Sequence, residues 1–274
     1  MVDGTGHNSR RLIIHLGVQK TASTAFHHFA KKNRDALSAR LDVLIPEKRS
    51  LAGALGRSAA GFSLDPALKQ EFVANILLMR DNLAEGEGTC LISHENLPGA
   101  MLGRQGVTEL YPVLPQVLEL LDEHLAPFRP EYAFYTREMK AWKRSVYNQA
   151  VKSDACAWTF DEFLEETKHC GDWGDLKKLV MHHVGENRAH FFRLEDETQE
   201  GLPGLQLLRH AGLIDADIAK LEPLNHRPNV SLNEGALEFV RLLNLSELPP
   251  RARKPVVDLI IRNQPLFVRQ REGA

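Results

Sequence analysis

The segment that most constrains this chain is Arg11-Leu-Ile-Ile-His-Leu-Gly17-Val-Gln-Lys20-Thr21-Ala22-Ser23-Thr24-Ala25-Phe26-His27-His28-Phe29. Leu12, Ile13, Ile14 and Leu16 form an apolar run too short for an independent helix, the pattern of a parallel strand buried on both faces. Gly17 breaks the run. From Ser23 onward Ala25, Phe26, Phe29 and Ala30 recur at helical spacing, with Thr21 or Ser23 on hand as N-cap. Strand, tight turn and helix thus follow one another directly. The turn carries Lys20, Thr21, Ser23 and Thr24 beside the backbone N–H groups of a helix N-terminus. Oriented donors, the positive end of a helix dipole and a fixed cation are what holding a phosphate or sulfate requires.

The same alternation continues along the chain. Asp42 to Pro46 reads as a short strand ended by proline. Residues Glu47 to Asp65, rich in Gly, Ser, Ala and Arg, read as a long mobile loop. Asp65-Pro66 opens a helix whose apolar stripe is Leu68, Phe72, Ile76 and Leu83. Thr89 to Ser93 is a buried strand that delivers His94-Glu95-Asn96, and a Gly-containing loop over Pro98 to Gly106 precedes a helix near Val113 to Leu125. Tyr132 to Thr136 is the next strand, ending in Arg137 and running into a helix. Helices follow over Phe160 to Thr167 and Trp173 to Val184, then a fifth strand over Ala189 to Arg193 and a helix over Leu202 to His210. Amphipathic helices occupy Asn233 to Leu243 and Pro249 to Ile261, within a C-terminal helical part over 233–274. Strands alternating with helices predict an α/β fold of three layers, a central parallel sheet of about five strands with helices on both faces. No repeat or linker divides the sequence, so one domain over 1–274 is expected, with 1–10 as a disordered N-terminus.

Composition narrows the partners. A net charge of −2 at pH 7 argues against a general nucleic-acid binder, so any anion site must be local. Three cysteines, Cys90, Cys156 and Cys170, have no metal-like spacing and read as reduced thiols of a cytoplasmic protein. Neither a signal peptide nor a membrane-spanning segment fits the sequence. The pairs His27-His28 and His182-His183 read as surface or helix-face residues, and no metal site is expected.

The loop does not fit a P-loop NTPase, whose motif places Gly-Lys-Ser/Thr four residues after a first Gly. Here Gly17 stands three residues before Lys20, and Gln19 occupies the second glycine's place. Gln19-Lys20-Thr21-Ala22-Ser23-Thr24-Ala25 instead resembles the 5′-phosphosulfate-binding loop of sulfotransferases that use 3′-phosphoadenosine 5′-phosphosulfate (PAPS), commonly Lys-Thr-Gly-Thr-Thr/Ser. Ala22 replaces the glycine and Ser23 a threonine. A second segment, Phe134-Tyr135-Thr136-Arg137 followed by Trp142, Ser145, Tyr147 and Asn148, is similar to the family's 3′-phosphate-binding segment. In both, an Arg at a strand end precedes a Ser by eight residues. A guanidinium grips phosphate by charge-assisted, bidentate hydrogen bonds, and the serine adds a donor. Asn229 and Ser231 echo a late Asn-x-Ser segment of bacterial members, while Ser231 also reads as a helix cap with Glu234 at the capping-box position.

The resemblance implies a P-loop-like sulfotransferase fold of the bacterial carbohydrate-sulfotransferase type. It further implies sulfuryl transfer from PAPS, with PAP as product and no required metal, to a hydroxyl or, as second choice, an amine of a carbohydrate or other small molecule. Lys20 would meet the charge on the bridging oxygen. Gln19 to Ala25 would hold the 5′-phosphosulfate, and Arg137 with Ser145 the 3′-phosphate. The general base lies between His94 and Glu95, with His94 preferred on its near-neutral intrinsic pKa. Two other readings stay open: an ATP-dependent small-molecule kinase, which lacks a magnesium-binding Asp at a strand end, and a nucleotide-binding module without turnover.

Overall fold

The computed structural model describes residues 10–197, 201–225, 231–246 and 248–268. In chain order the elements are β1 (Arg11–His15), α1 (Ser23–Lys32), α2 (Arg34–Ser38), β2 (Leu41–Leu44), α3 (Leu51–Phe62), α4 (Lys69–Ala84), β3 (Thr89–Ser93), α5 (Leu114–His124), β4 (Glu131–Thr136), α6 (Met139–Ser153), α7 (Phe160–Glu166), α8 (Trp173–Val184), β5 (Ala189–Arg193), α9 (Leu205–His210), α10 (Asp215–Ile218), α11 (Glu234–Asn244) and α12 (Pro250–Arg262). Contacts group them into two compact units: Met1–Ala100 with Tyr111–Arg137 and Trp173–Pro228, and Met101–Leu110 with Glu138–Asp172 and Asn229–Ala274. Both units are discontinuous in sequence, so no linker could betray them.

The first unit holds the sheet, in the order β2-β3-β1-β4-β5. Every pairing is parallel. The fold is therefore α/β with a five-stranded parallel sheet flanked by helices. Successive side chains alternate between the faces. Ile13, Leu91, Ala133 and Tyr135 join one core with Phe26, Phe29 and Ala30 of α1, Leu37 of α2, Leu205, Leu207 and Leu208 of α9, and Ile218 of α10. Leu12, Ile14, Cys90, Ile92, Tyr132 and Phe134 alternate with these and are equally buried. β1 is central, and the chain leaves it first toward β2 and β3, then toward β4 and β5. In open parallel sheets, ligands bind beyond the C-terminal strand ends at such a reversal, which here falls at the end of β1.

Residues 47–65 are not the loop their composition implies. Ser50 accepts a hydrogen bond from the Gly53 N–H at 3.0 Å and caps α3. Gly53, Gly56, Ala52, Ser58 and Ala59 are buried in that helix. Small residues serve there as spacers for close packing rather than as a flexible string. The expected opening at Asp65 holds, its side chain accepting from the Ala67 N–H ahead of α4.

The second unit is helical. α6 buries Trp142, Val146, Tyr147, Ala150 and Val151 and packs on α7 and α11, with α12 against α11. Asn244 donates to the carbonyls of Val151 and Cys156 at 3.0 and 2.7 Å, and Arg253 to those of Val151 and Lys152. The cap of α11 is Asn233, which accepts from the Ala236 N–H at 2.8 Å. Ser231, the cap expected from sequence, is exposed and lies two residues too early. Among the described residues no helix is long and apolar enough to cross a membrane.

Candidate functional site

β1 continues past its assigned end: Leu16 N–H donates to Ala133 O, Tyr135 N–H to Gly17 O and Val18 N–H to Tyr135 O. The chain then turns sharply into α1. Lys20 and Ala22 both adopt left-handed backbone, at φ 67° and 68°. Alternating handedness of this kind turns successive N–H groups toward one side and makes an anion-binding concavity. Ala22 is itself the N-cap of α1, with no side-chain cap bond. Neither Thr21 nor Ser23 caps the helix as expected. Their hydroxyls donate instead to Val18 O, at 2.6 and 3.5 Å, and tie the loop to its own start.

Gln19 is buried and held at both ends of its amide: Nε2 donates to Gly99 O at 2.9 Å, and Tyr111 Oη donates to Oε1 at 2.5 Å. Thr24 and Ala25 are half-buried on the first turn, and Lys20 is half-buried beside them. Arg137 follows β4, half-buried, its carbonyl accepting the Trp173 indole N–H at 2.6 Å. Ser145 lies on α6 in the second unit, half-buried. Asn229 lies outside the described residues.

The two candidate bases occupy different settings. His94 is buried, and its Nδ1 accepts the Asn96 N–H at 3.1 Å. Its ring fills the space left by Gly56, where a Cβ would lie 2.1 Å from the imidazole. Burial, with the charge of Arg57, lowers its pKa to about 4. Glu95 stands against the loop: a Cβ on Gly17, at φ +94°, would lie 3.1 Å from the Glu95 Cα. Its buried Oε2 has no hydrogen-bond partner. Burial raises its pKa, against the opposing pull of its own backbone N–H and of the Lys20 charge.

Below Glu95 runs a polar network that the sequence reading missed. Ser93 Oγ lies 2.8 Å from His15 Nδ1 and 2.9 Å from His27 Nε2. With one hydrogen, it donates to one imidazole and accepts from the other. His27 Nδ1 lies 3.7 Å from Glu95 Oε2. Burial lowers His15 to about 4. It lowers His27 to about 3, helped by the neighbouring histidines. All three histidines are thus neutral at pH 7. His27 is not at the surface but on the buried face of α1. It stands four positions after Ser23 on the buried stripe of Ser23, Phe26, His27 and Ala30. His15 and Ser93 face each other in register as the last residues of β1 and β3.

The first unit thus places a cation, a left-handed loop at a helix N-terminus and an unsatisfied, half-buried carboxylate around the end of β1. Such a group can bind an oxyanion and accept a proton beside it. Compared with known proteins, the chain matches no family model and no curated protein.

Proposed function

We propose that the chain is a PAPS-dependent sulfotransferase acting on a hydroxyl, or secondarily an amine, of a carbohydrate or other small molecule. The observation that carries this reading is Lys20 in a left-handed loop at the N-terminus of α1, with Glu95 close enough for their charges to interact. The acceptor oxygen attacks sulfur, the bond from sulfur to the bridging phosphate oxygen breaks, and PAP leaves with the electron pair. Lys20 meets the charge growing on that oxygen, while the loop N–H groups hold the non-bridging oxygens.

Glu95 takes the acceptor's proton. Its Oε2 has no hydrogen bond to give up, whereas the His94 Nδ1 lone pair is already engaged and its ring packed over Gly56. A raised pKa brings a carboxylate closer to working pH, which strengthens it as a base. Arg137 is assigned to the 3′-phosphate; its partnership with Ser145 rests on sequence spacing alone.

The test is transfer of labelled sulfur from PAPS to a panel of sugar and small-molecule hydroxyls, run beside ATP with the same panel. Transfer from PAPS alone upholds the reading. Phosphoryl transfer from ATP makes the chain a kinase, and nucleotide binding without turnover makes it a sensor.

A further inference from the structure

At the opposite end of the sheet, where the strands begin, a second polar cluster has no part in sulfuryl transfer. Glu131 opens β4, His190 is the second residue of β5, and His210 closes α9. Their ligand atoms lie within 4.8 Å of one another. His210 Nε2 stands 2.9 Å from Glu131 Oε2. His190 Nε2 is 3.2 Å from the same oxygen, yet it is buried and has no hydrogen-bond partner. The two imidazole rings are 4.1 Å apart.

Two imidazole nitrogens and a carboxylate oxygen converging this closely are poorly satisfied by one another. A single hydrogen on His210 serves the contact with Glu131, while His190 Nε2 directs either an unused N–H or a lone pair at its surroundings. A dication between the three atoms would satisfy all of them. Ligand atoms of a tetrahedral zinc stand about 3.3 Å apart, given bond lengths of about 2.0–2.1 Å. The two nitrogen–oxygen separations, 2.9 and 3.2 Å, fall just short of that span, so the ligands need to part by only a few tenths of an ångström.

We infer that Glu131, His190 and His210 form a binding site for a borderline transition-metal dication, zinc foremost, with water completing the coordination. Two nitrogens and one carboxylate select such ions over magnesium or calcium. The side chains are 19–26% exposed, so the open position reaches solvent. Arg11 supplies the outer support: Nε and Nη2 donate to the two Glu131 oxygens at 2.7 and 3.0 Å, and Nη1 donates to His210 O at 3.0 Å. These bonds orient the carboxylate, as outer contacts do at metal centres. They also add a positive charge nearby that restrains affinity. When metal binds, His210 carries its proton on Nδ1 instead of Nε2. The ion joins the starts of β4 and β5 to the end of α9, so its role is to pin the fold. The site is independent of the sulfotransferase reading.

The test uses the full chain, stripped with a chelator and titrated with cobalt(II) and then zinc(II). One equivalent of cobalt per chain, with ligand-field absorption displaced by zinc, is expected. Thermal unfolding should shift upward by about 5–10 °C at a hundredfold excess of free zinc over its dissociation constant. His190→Ala and His210→Ala should each weaken binding at least about tenfold, while a His182→Ala/His183→Ala double variant retains it. No stoichiometric uptake by the unmutated chain overturns the inference, even if the single variants fold poorly. So does uptake lost in the His182/His183 variant or indifferent to His190 and His210.

Discussion

The two ends of the same sheet each hold a glutamate among histidines, and they treat it in opposite ways. Where the strands begin, Glu131 is half-buried but accepts from Arg11 and His210. Burial works against its charge, yet those hydrogen bonds and the Arg11 charge hold its pKa down to about 2. Where the strands finish, Glu95 has an oxygen without a hydrogen bond, and burial raises it. The difference lies in the cation. A guanidinium bonded through two nitrogens locks a carboxylate in its charged form, whereas Lys20 acts on Glu95 as a nearby charge and leaves its oxygen available. One end is built to stay as it is, the other to change protonation.

The largest effect that would sharpen this contrast is on turnover. Glu95→Gln should lower transfer by about 10²–10⁴-fold, the range for a positioned general base. In the unmutated protein, transfer should fall as pH drops through the raised pKa of Glu95, because the protonated acid accepts nothing. The residual rate of Glu95→Gln should lack that acid limb. A pH–rate comparison of the two proteins checks it, and an unchanged limb would return the base to His94.

Lys20→Ala comes next. Removing a contact to charge that develops in the transition state should cost about 10²–10³-fold in kcat, with a smaller change in PAP affinity by calorimetry. Equal losses in kcat and in PAP binding would make Lys20 an anchor only.

Stability provides the third test. His15, His27 and His94 are lowered to about 4, 3 and 4. Groups with depressed native pKa values contribute stability that is complete above their unfolded value, about 6.5, and is lost as pH falls toward the native ones. Each should remove about 1.4 kcal/mol per pH unit in that window. Urea midpoints between pH 7 and pH 5 should therefore drop steeply, and a flat profile would break the picture of a neutral, buried histidine cluster.

At the other end, Arg11→Met in chelator-treated protein should cost about 1–3 kcal/mol, since it leaves a half-buried carboxylate with fewer donors. Denaturant titration reads it directly. The smallest effect belongs to Ala22. An alanine at φ 68° bears a steric cost of about 1–2 kcal/mol that glycine avoids, offset by about 0.5–1 kcal/mol of glycine's backbone entropy. Ala22→Gly should thus raise stability by at most about 1.5 kcal/mol with the loop otherwise intact, and a loss of stability would show that the methyl packs usefully.

These ends differ as much in legibility. The strands are plain from local runs: Thr89–Ser93 and Ala189–Arg193 coincide with the expected segments, as does the helix Trp173–Val184. The loop around Lys20 is local too, so its residues stand out together. Three things are not local. The helix α3 hides behind glycine and alanine because its small residues answer to partners elsewhere, Gly56 to the ring of His94. His27 was legible in principle from its place on the stripe with Phe26 and Ala30, but a histidine on an apolar face gives no sign of the serine it will meet. Glu131, His190 and His210 have no readable spacing at all, since only the parallel pairing of β4 with β5 and the return of α9 bring them together. The two-unit division is equally invisible, because each unit is assembled from separated stretches.

The central position of β1 also sets a timetable. Among the described residues its strand partners are β3 and β4, which begin at Thr89 and Glu131. At synthesis rates of about 5–20 residues per second, the second of these partners emerges roughly 5–25 s after β1 itself. Throughout that interval Leu12, Ile13, Ile14 and Leu16 have at least one unpaired edge, and an apolar strand in that condition is prone to join the wrong chain. Of the five strands of the sheet, the one at its centre is made first and is completed only once β4 has followed. Factors that shield nascent chains should therefore affect the yield of this protein more than its final stability.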